Sequence, residues 1–303
     1  MTDVVVLDEV TSARLRATQE LIDAAARTDG RSAVSEQGRL LLRGGRREGV
    51  RHLLLHERGE LAGYALLDGT DPVEAPAAEF VVHPGRRGRG HGRTLGEALL
   101  DESGHRLRLW AHGGHPAARH LARVLGLTLF RELRQLRRPL EGLRLDDPAL
   151  PPGVRVRTFV PGQDDAAWLA LNAAAFAHHP EQGSLTQRDL DARKSEAWFD
   201  PAGFFLAVRR DDAGGEELLG FHWTKVHGAE GLGEVYVLGV GPRAQGLGLG
   251  TALTAIGLRY LHRDRALPTA MLYVDADNAP ALRVYERLGF RTHETDLMYR
   301  TEN

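Results

Sequence analysis

The chain is 303 residues long, 42% hydrophobic and 26% charged, with a formal net charge of −2 and no cysteine. Disulfides, a thiolate nucleophile and cysteine metal sites are therefore excluded. No apolar run approaches the roughly 20 residues of a membrane span, Met1-Thr2-Asp3-Val4-Val5-Val6 lacks the basic region and cleavage site of a signal peptide, and neither half has the basic excess of a nucleic-acid binder, residues 1–150 carrying 23 Lys+Arg and 21 Asp+Glu and residues 151–303 carrying 16 and 20.

These features predict a cytoplasmic globular protein, and the length suggests two domains of about 150 residues. In the first half the informative segment is Val82-His83-Pro84-Gly85-Arg86-Arg87-Gly88-Arg89-Gly90-His91-Gly92-Arg93, a basic, glycine-rich turn. Its four arginines suit a phosphate loop; a solvated basic turn has the same composition. Leu125-Gly126-Leu127 follows, and then Pro139 to Pro152, with three acidic residues and Pro148, Pro151 and Pro152. That composition marks a linker and places the boundary near residue 150, giving domains 1–150 and 151–303.

The second half reads as strand Val154–Phe159, helix Asp164–Ala177, a polar loop His178–Gln187 and a short helix Arg188–Ala197. A hairpin follows, Phe204–Arg209 and Leu218–His227, with its turn at Asp211 to Gly215. Next come strand Glu234–Val240, a glycine-rich loop and helix Thr251–Arg263. Strand Ala270–Val274, helix Ala279–Leu288 and a last strand His293–Arg300 close the domain. Strands alternating with helices predict an α/β sheet with ligands at strand ends.

The loop Val240-Gly241-Pro242-Arg243-Ala244-Gln245-Gly246-Leu247-Gly248-Leu249-Gly250-Thr251 carries the chemistry. Glycines remove the side chains that would keep a phosphate from the backbone N–H groups, and the following helix adds unpaired donors and its positive dipole end. The segment should hold a pyrophosphate. A shift of 158 residues places Pro84 on Pro242, Arg87 on Gln245, Gly90 on Gly248 and Gly92 on Gly250. Leu125-Gly126-Leu127 matches Leu288-Gly289-Phe290 at a shift of 163. A repeat of this size is a duplicated domain.

The spacing Gln245-x-x-Gly248-x-Gly250 is neither the dinucleotide fingerprint nor the P-loop. It resembles the acetyl-CoA loop of the Gcn5-related N-acetyltransferases, Arg/Gln-x-x-Gly-x-Gly/Ala, and Pro242 matches that family's proline. Asn278, Ala281, Tyr285, Gly289 and Phe290 occupy the places of the family's strand–Asn–helix segment. The resemblance implies an α/β fold of two tandem acetyltransferase domains, each a mixed central sheet flanked by helices. It also implies acetyl-CoA as co-substrate, no metal, and a monomer. Residues implied at the cofactor are Leu238, Gly239 and Val240, then Gln245, Gly246, Leu247, Gly248, Leu249, Gly250 and Thr251, with Asn278, Ala281 and Arg283. In the first half they are Val81, Val82, His83, Arg87, Gly90 and Gly92. Asn278 either bonds the pantetheine amides or caps its helix. Tyr285 is either a core tyrosine or, by the resemblance, the acid that protonates the departing thiolate. Glu234, at the start of the strand that feeds the loop, is either a solvated carboxylate or the base that deprotonates the amine.

Over nearly the whole length the chain also resembles the mycothiol synthase family, tandem acetyltransferases of actinobacteria that act on the cysteinyl amine of cysteinyl-glucosaminyl-inositol. The resemblance rests on Phe176-Ala177-His178-His179-Pro180-Glu181-Gln182-Gly183, Gly220-Phe221-His222-Trp223-Thr224-Lys225-Val226-His227, Glu234-Val235-Tyr236-Val237-Leu238-Gly239-Val240 and Leu272-Tyr273-Val274-Asp275-Ala276-Asp277-Asn278. It implies that Glu36, Glu181, Lys225, Glu234 and Tyr273 contact that small-molecule amine, Glu36 reaching across from the first half. Lys225 stands out because only one other lysine, Lys194, accompanies 37 arginines. In the first half Ala122 falls where Tyr285 sits, His115 where Asn278 sits, and Pro76 opposite Glu234, which implies up to two CoA sites but one active centre. A tandem acetyltransferase for an aminoglycoside or a protein N-terminus, and a non-catalytic acyl-CoA sensor, are the rival readings.

Overall fold

The computed structural model describes residues 2–71, 73–144, 149–178, 180–210 and 214–302, without the side chains of Pro180 and Glu181. Part of the expected linker (145–148), most of the expected hairpin turn (211–213) and His179 lie outside the described residues. Packing divides the chain into two compact units, Met1–Leu133 with Glu294–Asn303, and Arg134–His293.

The first unit contains β1 (Thr2–Leu7), α1 (Ser12–Asp29), α2 (Glu36–Arg43), β2 (Val50–Glu57), β3 (Glu60–Asp68), β4 (Ala77–Val82), α3 (His91–Glu102), β5 (Arg108–Ala111), α4 (Pro116–Val124) and the start of β6 (Leu127–Pro139). β1 to β4 are antiparallel neighbours, β4 and β5 are parallel, and a C-terminal strand pairs antiparallel with β5. Side chains alternate across this sheet, as period two requires. Leu53, Leu55, Ala65 and Leu67 bury against α3 and α4, while Leu54, Tyr64 and Leu66 bury against α1 and α2.

The second unit takes residues 134–139 of β6, then β7 (Val154–Thr158), α5 (Asp165–Ala175), α6 (Pro180–Gly183), α7 (Gln187–Lys194), β8 (Phe204–Arg210), β9 (Glu216–His227), β10 (Leu232–Val240), α8 (Leu249–Arg259), β11 (Thr269–Asp275) and α9 (Ala279–Arg287). Its strands run β7-β8-β9-β10-β11, antiparallel except for the parallel pair β10/β11, with β6 beside β11. Phe204, Leu206 and Val208 face the α5 side with Trp168 and Leu190, and Phe205 and Ala207 face α8 with Leu249 and Leu253. Each unit is thus a mixed sheet with helices on both faces. Among the described residues no helix is long and apolar enough to cross a membrane.

Two boundaries differ from the sequence reading. The expected polar loop at 178–187 contains α6, held by reciprocal Asn172–Gln182 bonds (2.7 and 2.9 Å), and Thr186 caps α7 through a capping box with Asp189. The last strand, β12 (Arg291–Thr301), follows the second unit in sequence, but from Glu294 onward it packs with the first. Its charges explain the preference. Arg31 reaches Glu294 (2.6 Å) and Asp296 (2.8 Å), and Asp296 also accepts from Gly113 N (2.8 Å) and binds His112 Nδ1 (3.0 Å). The other ring nitrogen of His112 meets Glu79 at 2.9 Å, and Glu79 in turn accepts from Ser35 N (2.9 Å).

This knot and the opposite case of His222 set a pH window for stability. Burial alone would lower the pKa of His112, but its bonds to Asp296 and Glu79 outweigh that and hold it up at about 9. Burial pushes His222 down to about 4, although its Nδ1 meets the Leu253 carbonyl at 2.7 Å. A folded-state pKa above the unfolded value near 6.5 contributes stability below pH 6.5 that is lost as pH rises through 9. A depressed one contributes stability above pH 6.5 that is lost as pH falls through 4. Each is worth roughly 3 kcal/mol over its window. Thermal melts of His112→Asn should therefore lack the decline between pH 7 and 9.5 expected of the unmodified protein, and an identical slope in both would contradict the assignment.

Candidate active site

The first structural cause of a site in the second unit is a parting of strands. β10 follows β9 to its end, from Leu232↔His227 to Val240↔Gly220. Among the described residues its parallel pairing with β11 runs only from Leu232↔Thr269 to Val235↔Leu272. A bulge at Tyr236, where the β9 register skips between Val235 and Val237, marks the parting and twists the strand away. Leu238, Gly239 and Val240 therefore lie beyond the parting, on the stretch of β10 that leads into the glycine loop.

The loop fits a pyrophosphate. Gly246 and Gly248 both have φ of +79°, in the left-handed region. Gly248 is the N-cap of α8 and offers no side-chain cap, so the first N–H groups of α8, beginning with Leu249, Gly250 and Thr251, are available to an anion. A Cβ on Gly250 would meet nothing nearer than Val240 Cγ2 at 3.9 Å. The fold itself does not demand glycine there.

Of the residues expected at the acceptor, Lys225 and Glu234 are direct cross-strand partners. Both are buried. The Lys225 ammonium stands 4.6 Å from the Trp198 ring centroid and 5.2 Å from that of Tyr236, and the Tyr236 hydroxyl accepts from Arg193 Nε at 2.9 Å. Glu234 Oε2 lies 2.7 Å from His227 Nε2. Tyr273, on β11 just past the parting, accepts a bond from Gln135 Nε2 (2.8 Å), and Gln135 Oε1 accepts from Arg137 Nε (2.8 Å). Glu36 is the first residue of α2 in the first unit. Glu181 lies in α6, with its side chain outside the described residues.

Asn278 caps α9, its Oδ1 accepting from Ala281 N at 3.2 Å; the same side chain has an amide NH2 that the cap does not use. Tyr285 packs on Phe290, ring centroids 5.8 Å apart and near-perpendicular, and burial pushes its phenol up to about 12. It is a packed residue whose phenol stays protonated throughout the neutral range. Arg283 is exposed on α9.

The first unit repeats the frame with different side chains. Its parallel pairing, β4 with β5, stops at the equivalent step, Ala78↔Leu109. Gly90 is the left-handed N-cap of α3 (φ +87°), and His115 caps α4 through Ala117 N (3.1 Å) as Asn278 caps α9. Val81 and Val82 end β4, and Gly92 lies in the first turn of α3. His83 Nδ1 accepts from Gly85 N. The arginines are taken up by carboxylates: Arg87 forks onto Asp29 (2.7 Å twice), Arg86 binds Glu57 and Glu60, Arg89 binds Glu57, and Arg93 binds Glu97. One correspondence needs correction. Because β10 has a bulge and β4 has none, the residue matched to Glu234 by pairing is Ala77, opposite Asp68, and not Pro76. The first unit has no carboxylate at either position.

Residues that pattern reading missed are His227, Gln135, Arg137, Trp198 and Tyr236. Only His227 left a signal, two residues from Lys225 and so on the same face of β9.

Known proteins agree with this architecture. The family model described as acetyltransferase (GNAT) matches residues 17–127 and again 168–290. The mycothiol acetyltransferase of Streptomyces avermitilis is 75% identical over 283 residues, covering 93% of this chain and 90% of that one. That of Streptomyces coelicolor is 73% identical over 297 residues, covering 98% and 94%. A solved tandem GNAT protein from the clavulanic acid biosynthesis pathway shares the fold, with a TM-score of 0.71 at 19% identity over 100% of this chain and 99% of that one. The chain belongs to the acetyltransferase (GNAT) family and, within it, to the mycothiol acetyltransferases.

Proposed function

We propose that the chain is a cytoplasmic N-acetyltransferase that moves the acetyl group of acetyl-CoA to the cysteinyl amine of cysteinyl-glucosaminyl-inositol, giving mycothiol and CoA, with one active centre in the second unit. The observation that carries this reading is the buried Glu234 set one residue before the strand parting that leads to the glycine loop. Acetyl-CoA supplies an activated acetyl group as a thioester. Backbone N–H groups at the start of α8 hold its pyrophosphate, and backbone groups of Leu238 to Val240 line the pantetheine and polarise the thioester carbonyl. Glu234 takes the proton from the acceptor's ammonium, directly or through one water, so that a neutral amine attacks the carbonyl carbon. The C–N bond forms as the C–S bond breaks, Tyr285 gives its phenolic proton to the leaving sulfur, and the second proton that the nitrogen sheds as it becomes an amide passes through water to restore the Tyr285 phenol. Glu181, Lys225 and Tyr273 serve the hydroxyl-rich acceptor as hydrogen-bonding partners.

The test is transfer to the desacetyl thiol precursor beside a panel of aminoglycosides and peptide N-termini, read by mass spectrometry because the precursor itself carries a thiol. Failure to acetylate the precursor, with transfer to another amine, would replace the acceptor; binding of acetyl-CoA with transfer to none would favour a sensor. Tyr285→Phe removes a proton donor and little volume, and is expected to lower kcat by roughly one to three decades with both KM values retained. Since the phenol titrates only at about 12, its donor role should give no alkaline fall in rate up to pH 10. Wild-type kcat in the Phe variant would leave Tyr285 with packing alone.

A further inference from the structure

The base proposed above is not alone in its pocket. On β9, Phe221, Trp223, Lys225 and His227 alternate to one face, and that face meets Glu234 on β10. Lys225 stands directly opposite Glu234, while His227 is opposite Leu232, the residue two before it and on the same side. The geometry brings His227 Nε2 to 2.7 Å from Glu234 Oε2, with the carboxylate only 8% exposed and the imidazole 25% exposed. An ionised carboxylate is acceptor-only, so the hydrogen in this contact belongs to Nε2. The other carboxylate oxygen, Oε1, is not part of this bond.

We propose that His227 is a positioning residue for the amine-deprotonating step: its Nε2–H fixes Oε2 so that the Glu234 carboxylate is held in one orientation and presents Oε1 to the proton it removes. The inference rests on the reading of Glu234 as the general base. A glutamate has three side-chain torsions, and a base that must take a proton within hydrogen-bond reach gains from having them fixed before the substrate arrives. The bulge at Tyr236 leaves Glu234 on the regular side of the register, where its cross-strand geometry to β9 is retained. His227 is thus an anchor that the ordinary pairing of the hairpin delivers to the carboxylate. No proton passes to His227 in this role. The proton taken by Oε1 returns to solvent after the acetylated product leaves.

A merely structural histidine at the end of a hairpin would also stabilise the fold, so the test separates the two roles. In the full chain, kcat and both KM values are measured by mass detection of the acetylated precursor for the unmodified enzyme, His227→Phe, His227→Asn, His227→Gln, Glu234→Gln and the Glu234→Gln/His227→Phe double variant. Phe removes the donor, Asn keeps polarity but is too short to reach Oε2, and Gln places an N–H where Nε2 was. Phe and Asn are expected to lower kcat by about 10- to 100-fold with KM values little changed, and Gln to return it to within about threefold of the unmodified enzyme. In the Glu234→Gln background His227→Phe should cost nothing further, because the group it positions is gone. Wild-type kcat in both Phe and Asn, a Gln variant as slow as Asn, or an undiminished effect in the Glu234→Gln background would overturn the proposal. If Phe does not fold, the Asn and Gln pair decides. A Glu234→Gln enzyme that turns over at the normal rate removes the base itself, and this inference with it. A slow Glu234→Gln enzyme with unaffected His227 variants removes only the inference.

Discussion

Glu234→Gln is expected to lower kcat/KM for the amine by roughly two to three decades at pH 6 and by progressively less as the pH rises toward the amine's own pKa. The substitution changes almost no volume, and Gln keeps an oxygen that accepts from His227, so the buried hairpin contact survives. What is lost is the capacity to take a proton. At low pH nearly every acceptor amine is an ammonium that cannot attack, and the carboxylate does most for the rate there. At high pH the amine arrives neutral and the base has less to contribute. Acetyl-CoA KM should stay within about threefold, since the loop and the start of α8 do not involve this side chain. A Gln variant with unchanged turnover down to pH 6 would assign proton removal elsewhere.

Gly250→Val is expected to raise the acetyl-CoA KM by about two decades or more while leaving the melting temperature nearly unchanged. In most glycine loops the two effects are entangled, because a side chain strains the backbone as well as filling the ligand's place. Here they separate. Gly250 is helical, and a Cβ there finds only ordinary contact with Val240 at 3.9 Å, so a side chain meets no clash at its first carbon and gains a little helix propensity. The lost affinity then reads the distance between the backbone and the pyrophosphate. Gly248→Val is a worse probe, since its φ of +79° adds about 1–2 kcal/mol of strain. In the first unit Gly92→Ala, whose Cβ would sit 3.3 Å from Leu121 Cδ2, should leave transfer intact if that unit has no active centre. Equal loss from Gly92→Ala and Gly250→Val, with both variants folded, would place catalysis in both units. Isothermal titration with CoA alongside steady-state rates distinguishes binding from turnover in each case.

Much of this architecture is legible in the sequence, for identifiable reasons. The glycines of the two loops, the prolines that begin the short turns at 84 and 242, and the Asn278 cap act through backbone conformation and local bonding, which short-range sequence encodes directly. The strands and helices of the second half follow from periodicity and fall within a few residues of the expected bounds. What stayed hidden depends on partners distant in sequence. Nothing in Leu127–Pro139 announces that one strand passes between units at residue 133: no glycine or proline interrupts it before Pro139. The linker composition after Pro139 drew the boundary instead, although Leu140 is fully buried and its N–H bonds the Pro268 carbonyl at 2.8 Å. The four arginines of the first loop suggested phosphate, because charge is visible in a sequence and its neutralisation by Asp29, Glu57, Glu60 and Glu97 is not. The bulge at Tyr236, which changes the counterpart of Glu234 from Pro76 to Ala77, is likewise a property of pairing and not of composition.

The assignment of β12 from Glu294 onward to the first unit also bears on how this chain is made. A ribosome delivers residues 1–133 before the second unit, but Asp296, the carboxylate that joins Arg31, Gly113 and His112, is made only after the second unit's last residue, His293. Until then the early unit has β5 without its antiparallel neighbour and holds a histidine and an arginine lacking their shared acid. The duplication is therefore not a string of two modules that mature in turn. The half translated first is finished last, and a gene cut at the midpoint of the repeat would separate each unit from one of its own strands.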